Sequence, residues 1–159
     1  MRFSRKATIS LISACTLSAA VCHSARAAEP EIYELADPAQ INEIAKGFGS
    51  SSIDKDSTGD PMVTGRLQGM KYVIYFYGCE EGAKCKSIQF SAGYTDPFTA
   101  AQANEWNKKF RWIKAYEGDG SNFKMDVSFI GGITKANLEQ QFSTWDSLIS
   151  DIKEFLREK

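Results

Sequence analysis

Three groups of residues have types and spacings that could do chemistry: Cys79 with Cys85, the run Asp54-Lys55-Asp56-Ser57-Thr58-Gly59, and the cations Lys108, Lys109, Arg111 and Lys114. The two cysteines flank Glu80 to Lys84. Thiol–disulfide exchange favours C-x-x-C at the start of a helix, where the dipole lowers one thiol pKa. Here a longer spacer separates two strand-like segments, so the pair reads as a structural disulfide. The aspartate run has oxygen-bearing side chains at the first, third and fifth places of a calcium loop and glycine at the sixth. The place of the bidentate glutamate falls on Gly65, however, and no helical pattern follows, so the run reads as a solvated hairpin turn and no metal is expected. The four cations could meet an anionic partner or lipid head groups. They also close a helical pattern, where positive charge complements the dipole, and that reading is preferred.

The chain has one imidazole, His23, and it lies in a segment that reads as a secretory leader. Arg2, Arg5 and Lys6 precede a mostly apolar stretch from Ala7 to Val21, and Ala25-Arg26-Ala27 puts small residues where a signal peptidase reads them. Ser10, Ser13, Thr16 and Ser18 interrupt the stretch, which is shorter than the roughly 20 residues of a membrane span. The expected cut follows Ala27. Ile12-Ser13-Ala14-Cys15 has the residue types of a lipoprotein box, but too few apolar residues come before it.

Removing residues 1–27 takes away His23, Cys15, Cys22 and four of the 19 basic residues, and the formal net charge moves from -1 to -5. Without imidazole, Ser-His-Asp and Cys-His hydrolysis and the common zinc sites are excluded. Net acidity argues against binding nucleic acid through phosphates. An enzyme would have to run on carboxylates or lysine, and Glu117, Asp119 and Asp126 are already accounted for as turn and solvent-face residues. No cofactor is expected.

The elements that must position these groups follow from periodicity. After a loose lead-in at 28–36, Asp37-Pro38 is an N-cap with proline at the first helical place, and Ile41, Ile44, Ala45 and Phe48 share a helical stripe that ends at Gly47 or Gly49. The period then changes to two. A weak strand at Ser51 to Lys55 leads through a turn to Met62 to Leu67, then Lys71 to Tyr77, then Ser87 to Gly93. Thr99 caps a helix over 100–110 with Ala103, Trp106 and Phe110 inward. A second hairpin pairs Arg111 to Tyr116 with Phe123 to Phe129, and Gly131-Gly132 stops it. Thr134 caps a long final helix with Leu138, Phe142, Trp145, Leu148, Ile149 and Ile152 on one stripe. The expectation is a two-layer α+β domain over 37–159: an antiparallel sheet of five to six strands in the order α-β-β-β-(β)-α-β-β-α, with three helices mainly on one side.

The strand Tyr72-Val73-Ile74-Tyr75-Phe76-Tyr77 is apolar on both faces. If helices cover one face only, the other is free for an interface or an apolar ligand groove. Val73, Tyr75 and Tyr77 are the candidate surface, with Trp106, Asn107 and Arg111 as a second candidate spot. The bland readings are a core tryptophan on the inward stripe and an asparagine capping a helix end. The leading expectation is a non-enzymatic protein that binds a protein or peptide through its sheet, a second copy of the chain included. A small-ligand or lipid-binding module is the alternative, without stable membrane insertion.

Together, Tyr72 to Tyr77 followed by Cys79 and Cys85, the Ser87 to Ala92 strand, Glu105-Trp106-Asn107 with Phe110 and Arg111, Ala115-Tyr116, and Gly131-Gly132-Ile133-Thr134 leading to Leu138 and Trp145 resemble the YbjN family over roughly residues 35–156. The resemblance implies a fold similar to type III secretion chaperones, often paired as a dimer, in bacterial proteins described as sensory transduction regulators with no established catalytic residues. Combined with the leader, it implies a periplasmic protein, and the cytoplasmic regulatory or chaperone role of such proteins carries over poorly.

Overall fold

The computed structural model describes residues 29–118 and 120–158. The segment that reads as a leader, with Cys15, Cys22 and His23, and Asp119 lie outside the described residues. In chain order the elements are β1 (Ile32–Tyr33), α1 (Pro38–Lys46), β2 (Ser50–Lys55), β3 (Pro61–Leu67), β4 (Met70–Tyr77), β5 (Ser87–Tyr94), α2 (Ala100–Lys109), β6 (Lys114–Gly118), β7 (Gly120–Ser128), β8 (Ile133–Thr134) and α3 (Lys135–Arg157). Strands β2 to β7 form one antiparallel sheet in the order β2-β3-β4-β5-β7-β6, and β1 pairs with β8 in a second, two-stranded sheet. This is the expected α+β architecture, with six strands in the main sheet.

The caps act as the residue types dictate. Asp37 accepts from the N–H groups of Ala39 and Gln40, Thr99 and Gln102 form a reciprocal capping box, and Thr134 accepts from Asn137 N–H. All three helices lie on one face of the sheet, because Ile41 and Ala45 of α1, Ala103 and Trp106 of α2, and Leu138 to Ile152 of α3 share one core with Ile74, Phe76, Ile88, Phe90, Phe123 and Met125. Aromatic contacts lock the layers: Phe90 meets Phe142 edge-on at 4.9 Å and Trp106 meets Phe123 at 4.9 Å between ring centroids.

Two expectations are corrected. The lead-in is not loose: Ile32 pairs with Thr134, Lys135 N–H donates to the Glu31 carbonyl, and Ala36 exchanges two 2.8 Å backbone bonds with Cys85. Gly132 makes the first contact possible, since a Cβ there would stand 2.8 Å from Ile32 Cγ2. The second hairpin is also tighter than its composition suggests. Its ladder runs on through Tyr116↔Asn122 to Gly118↔Gly120 instead of opening into a loop from Glu117 to Asn122. Gly120 is required there because a Cβ would meet the Tyr94 carbonyl oxygen.

Candidate functional site

Burial alternates along β4. Tyr72, Ile74 and Phe76 point into the core, so Val73, Tyr75 and Tyr77 emerge on the face that no helix covers. The register extends this face in rows. Thr64, Val73, Ser91 and Lys124 lie side by side, as do Asp54, Met62, Tyr75, Gln89 and Asp126, and Tyr77 is followed by Ser87 and Ser128.

Side chains in these rows are tied to one another. Gln89 Nε2 donates to Asp126 Oδ1 at 2.7 Å, the Tyr77 hydroxyl donates to Gln89 Oε1 at 3.5 Å, and Lys114 Nζ stands 3.7 Å from Asp126 Oδ2. The Lys124 ammonium sits over the Tyr116 ring, 5.1 Å from its centroid. A hydrogen bond with the Tyr116 side chain holds the Lys124 pKa above the usual lysine value, and partial burial raises that of Tyr77. A shallow groove of about 630 Å³ runs across this face, lined by Ser52, Thr64, Lys71, Val73, Tyr75 and Asn122 among others. The open face is therefore aromatic and polar. That corrects the expectation of a sheet apolar on both sides: the period-two serines and glutamine of β5 dilute the aromatic strand next to them.

The second candidate spot divides. Trp106 is fully buried and its Nε1–H donates to the Ile113 carbonyl at 2.9 Å, which removes it from any contact surface. Asn107 is not a helix cap. Its amide both donates to the Ala115 carbonyl and accepts from the Ala115 N–H, each at 2.8 Å, so it mimics a paired strand along the outer margin of β6. Arg111 is exposed and lies over the Trp112 ring at 5.5 Å, and Trp112, 60% exposed, is a surface aromatic that the strand pattern concealed. The four cations are dispersed: Lys108 and Lys109 close the last turn of α2, Lys109 rests on Phe110, and Lys114 faces Asp126. At the opposite margin α1 meets β2 through Asn42, whose carbonyl and Oδ1 both accept from the Ser51 hydroxyl, and Ile53 at mid-strand is 49% exposed.

Cys79 and Cys85 are bonded to each other, just beyond the last paired rung Tyr77↔Ser87. The Asp54–Gly59 run ends β2 and enters the β2–β3 hairpin turn. Asp56 Oδ1 accepts from Thr58 N–H, Thr58 Oγ1 and Asp60 N–H, and the Thr58 hydroxyl bond leads in lowering its pKa. The turn's own donors thus converge on one oxygen of the Asp56 carboxylate.

Sequence reading missed a further feature at the sheet end nearest the α3 C-terminus. In the β3–β4 turn Gln68 (φ 49°) and Gly69 (φ 82°) both adopt positive φ, as a two-residue hairpin turn of this hand requires. Gln68 is held there by α3: its Nε2 donates to Asp146 O and Oδ1, its Oε1 accepts from Ser150, and its carbonyl accepts from Lys153 Nζ. Beside the turn lies a second groove, of about 540 Å³, bordered by Arg66, Lys71, Lys153 and Arg157 with Met70, Tyr94 and Leu156. Nothing in local sequence signals it, because its cations come from chain segments far apart.

A helix-backed antiparallel sheet with one uncovered aromatic and polar face defines a small α+β protein. A family model, YbjN, described as "Putative bacterial sensory transduction regulator", matches residues 37–158, and the chain belongs to that family. It is described as a regulator family and not as an enzyme family. No curated protein matches the chain. Among the described residues no helix is long and apolar enough to cross a membrane.

Proposed function

We propose that this chain is an exported, non-enzymatic member of its family, cut after Ala27 and resident in the bacterial periplasm, that holds a protein or peptide partner on the open face of its sheet. The observation that carries the reading is the separation of the two faces of β4: three helices cover Tyr72, Ile74 and Phe76, while Val73, Tyr75 and Tyr77 remain accessible beside Gln89, Lys124 and Asp126. Half-buried tyrosines with hydrogen-bonding neighbours suit a protein contact, since they offer rigid area and a polar tip at once. The Cys79–Cys85 bond fits an oxidising compartment. Serine, threonine, lysine and asparagine in the groove across this face suit a peptide chain better than a lipid.

The test is affinity capture from the native compartment with the wild-type protein and with Tyr75→Glu/Tyr77→Glu. Both positions lie on the uncovered face, so the variant should melt like the wild type while the captured partner is lost. The intact mass of the recovered protein should correspond to a chain beginning at Ala28. An unchanged set of captured proteins would remove this face from consideration.

A further inference from the structure

We infer that the second groove is an acidic-peptide subsite, taking carboxylate side chains on Arg66, Lys71, Lys153 and Arg157 and one apolar side chain on Met70, Tyr94 and Leu156. This rests on the partner-binding reading above and specifies the chemistry of the partner.

Four cations from β3, β4 and α3 border this groove, and among the described residues no acidic one does. Among the described residues none of the four has a carboxylate within ion-pair distance. Two are instead positioned by backbone carbonyls: Arg66 Nη1 donates to Gly69 O at 3.2 Å and Lys153 Nζ to Gln68 O at 2.9 Å. These contacts orient the cations without neutralising them. In a chain whose formal charge is -1, or -5 once residues 1–27 are removed, gathering four cations without carboxylate partners on one groove creates a local field opposite to the mean and selects for negative charge.

The occupant is a peptide because of the groove's form. It is open to solvent along its length, whereas small-molecule sites enclose most of their ligand. It is also continuous with the groove on the uncovered sheet face, since Arg66, Lys71 and Gly93 border both. Gly93 has no side chain to obstruct the passage, and a Cβ there would have only Asn122 Oδ1 near it, at 4.0 Å. An extended segment crossing the tyrosine face would leave over the basic groove, so the partner segment carries its acidic residues at that end.

Fluorescence anisotropy with a labelled short peptide of alternating glutamate and leucine tests the assignment on the processed chain. The wild-type protein should bind it, more weakly as salt rises, and Lys71→Glu/Arg157→Glu should weaken binding about tenfold, with an unchanged melt because both side chains are exposed. Lys71→Gln/Arg157→Gln should fall between the two. Equal binding of the charge-reversed variant, or equal binding of a glutamine–leucine peptide, overturns the proposal. So does sedimentation with phosphatidylglycerol vesicles in the absence of peptide binding, which would assign the cations to a lipid surface. Tyr75 and Tyr77 do not border this groove, so failure here is distinct from failure of Tyr75→Glu/Tyr77→Glu to release the captured partner.

Discussion

Tyr72 is 2% exposed and lays its ring over Gly65 of the neighbouring strand, where a Cβ would stand 2.6 Å from its Cζ. Burial pushes its pKa up to about 12 from 10.0, because a phenolate in the core forfeits its hydration. A pKa raised by folding contributes stability that is complete below the unfolded value. As pH climbs from about 10 to about 12 the unfolded chain releases the proton first and the contribution is lost, on the order of 2 kcal/mol across the window. Urea unfolding over that range should show the decline in the wild type and a much shallower one in Tyr72→Phe. Parallel declines would mean that other groups, Tyr33 and Tyr77 among them, dominate the alkaline limb. The same alternation that buries Tyr72 exposes Tyr75 and Tyr77. The period of two in the sequence separates these sets, but which set faces the helices depends on where the helices pack.

Asn107 joins α2 to β6 through two hydrogen bonds to Ala115. Asn107→Ala leaves both backbone groups without a protein partner, and the expected cost is about 1–3 kcal/mol. Thermal unfolding gives the cost, and hydrogen exchange should quicken at the Ala115 amide in particular. An Ala115 amide as protected as in the wild type would show that α2 covers the margin by packing alone. Long elements were legible in the sequence because their stripes repeat: α3 needs only Leu138, Phe142, Trp145, Ile149 and Ile152, and β7 only Phe123, Met125 and Val127. Strands β1 and β8 hold two residues each, too few to show a period, and are fixed by contacts across the whole chain. The basic groove was illegible for a related reason, since its four cations converge only once the β3–β4 turn docks on α3 through Gln68. At Asn107 the only local cue is a position near a helix end, which leaves a surface contact and a cap both open, and its strand-like use depends on α2 lying along β6.

The disulfide is local in sequence but acts on the whole fold through the contacts of Cys85. Cys85 is fully buried, and its backbone holds Ala36, so the bond between Cys79 and Cys85 steadies both the β4–β5 connection and the segment that leads into α1. Replacing both cysteines with serine should lower stability by about 2 kcal/mol on the loop-entropy account and speed exchange at the Ala36 amide. Equal midpoints in urea for the reduced and oxidised proteins would show that core packing alone fixes the connection. The two margins of the main sheet are unlike: Asn107 of α2 bonds to the β6 backbone at Ala115, whereas α1 meets β2 through Asn42 and the Ser51 hydroxyl and leaves Ile53 half exposed. Were two copies to join edge to edge, the β6 side closed by Asn107 would leave them only the β2 side, and such a pairing would close on itself without offering a further edge to a third.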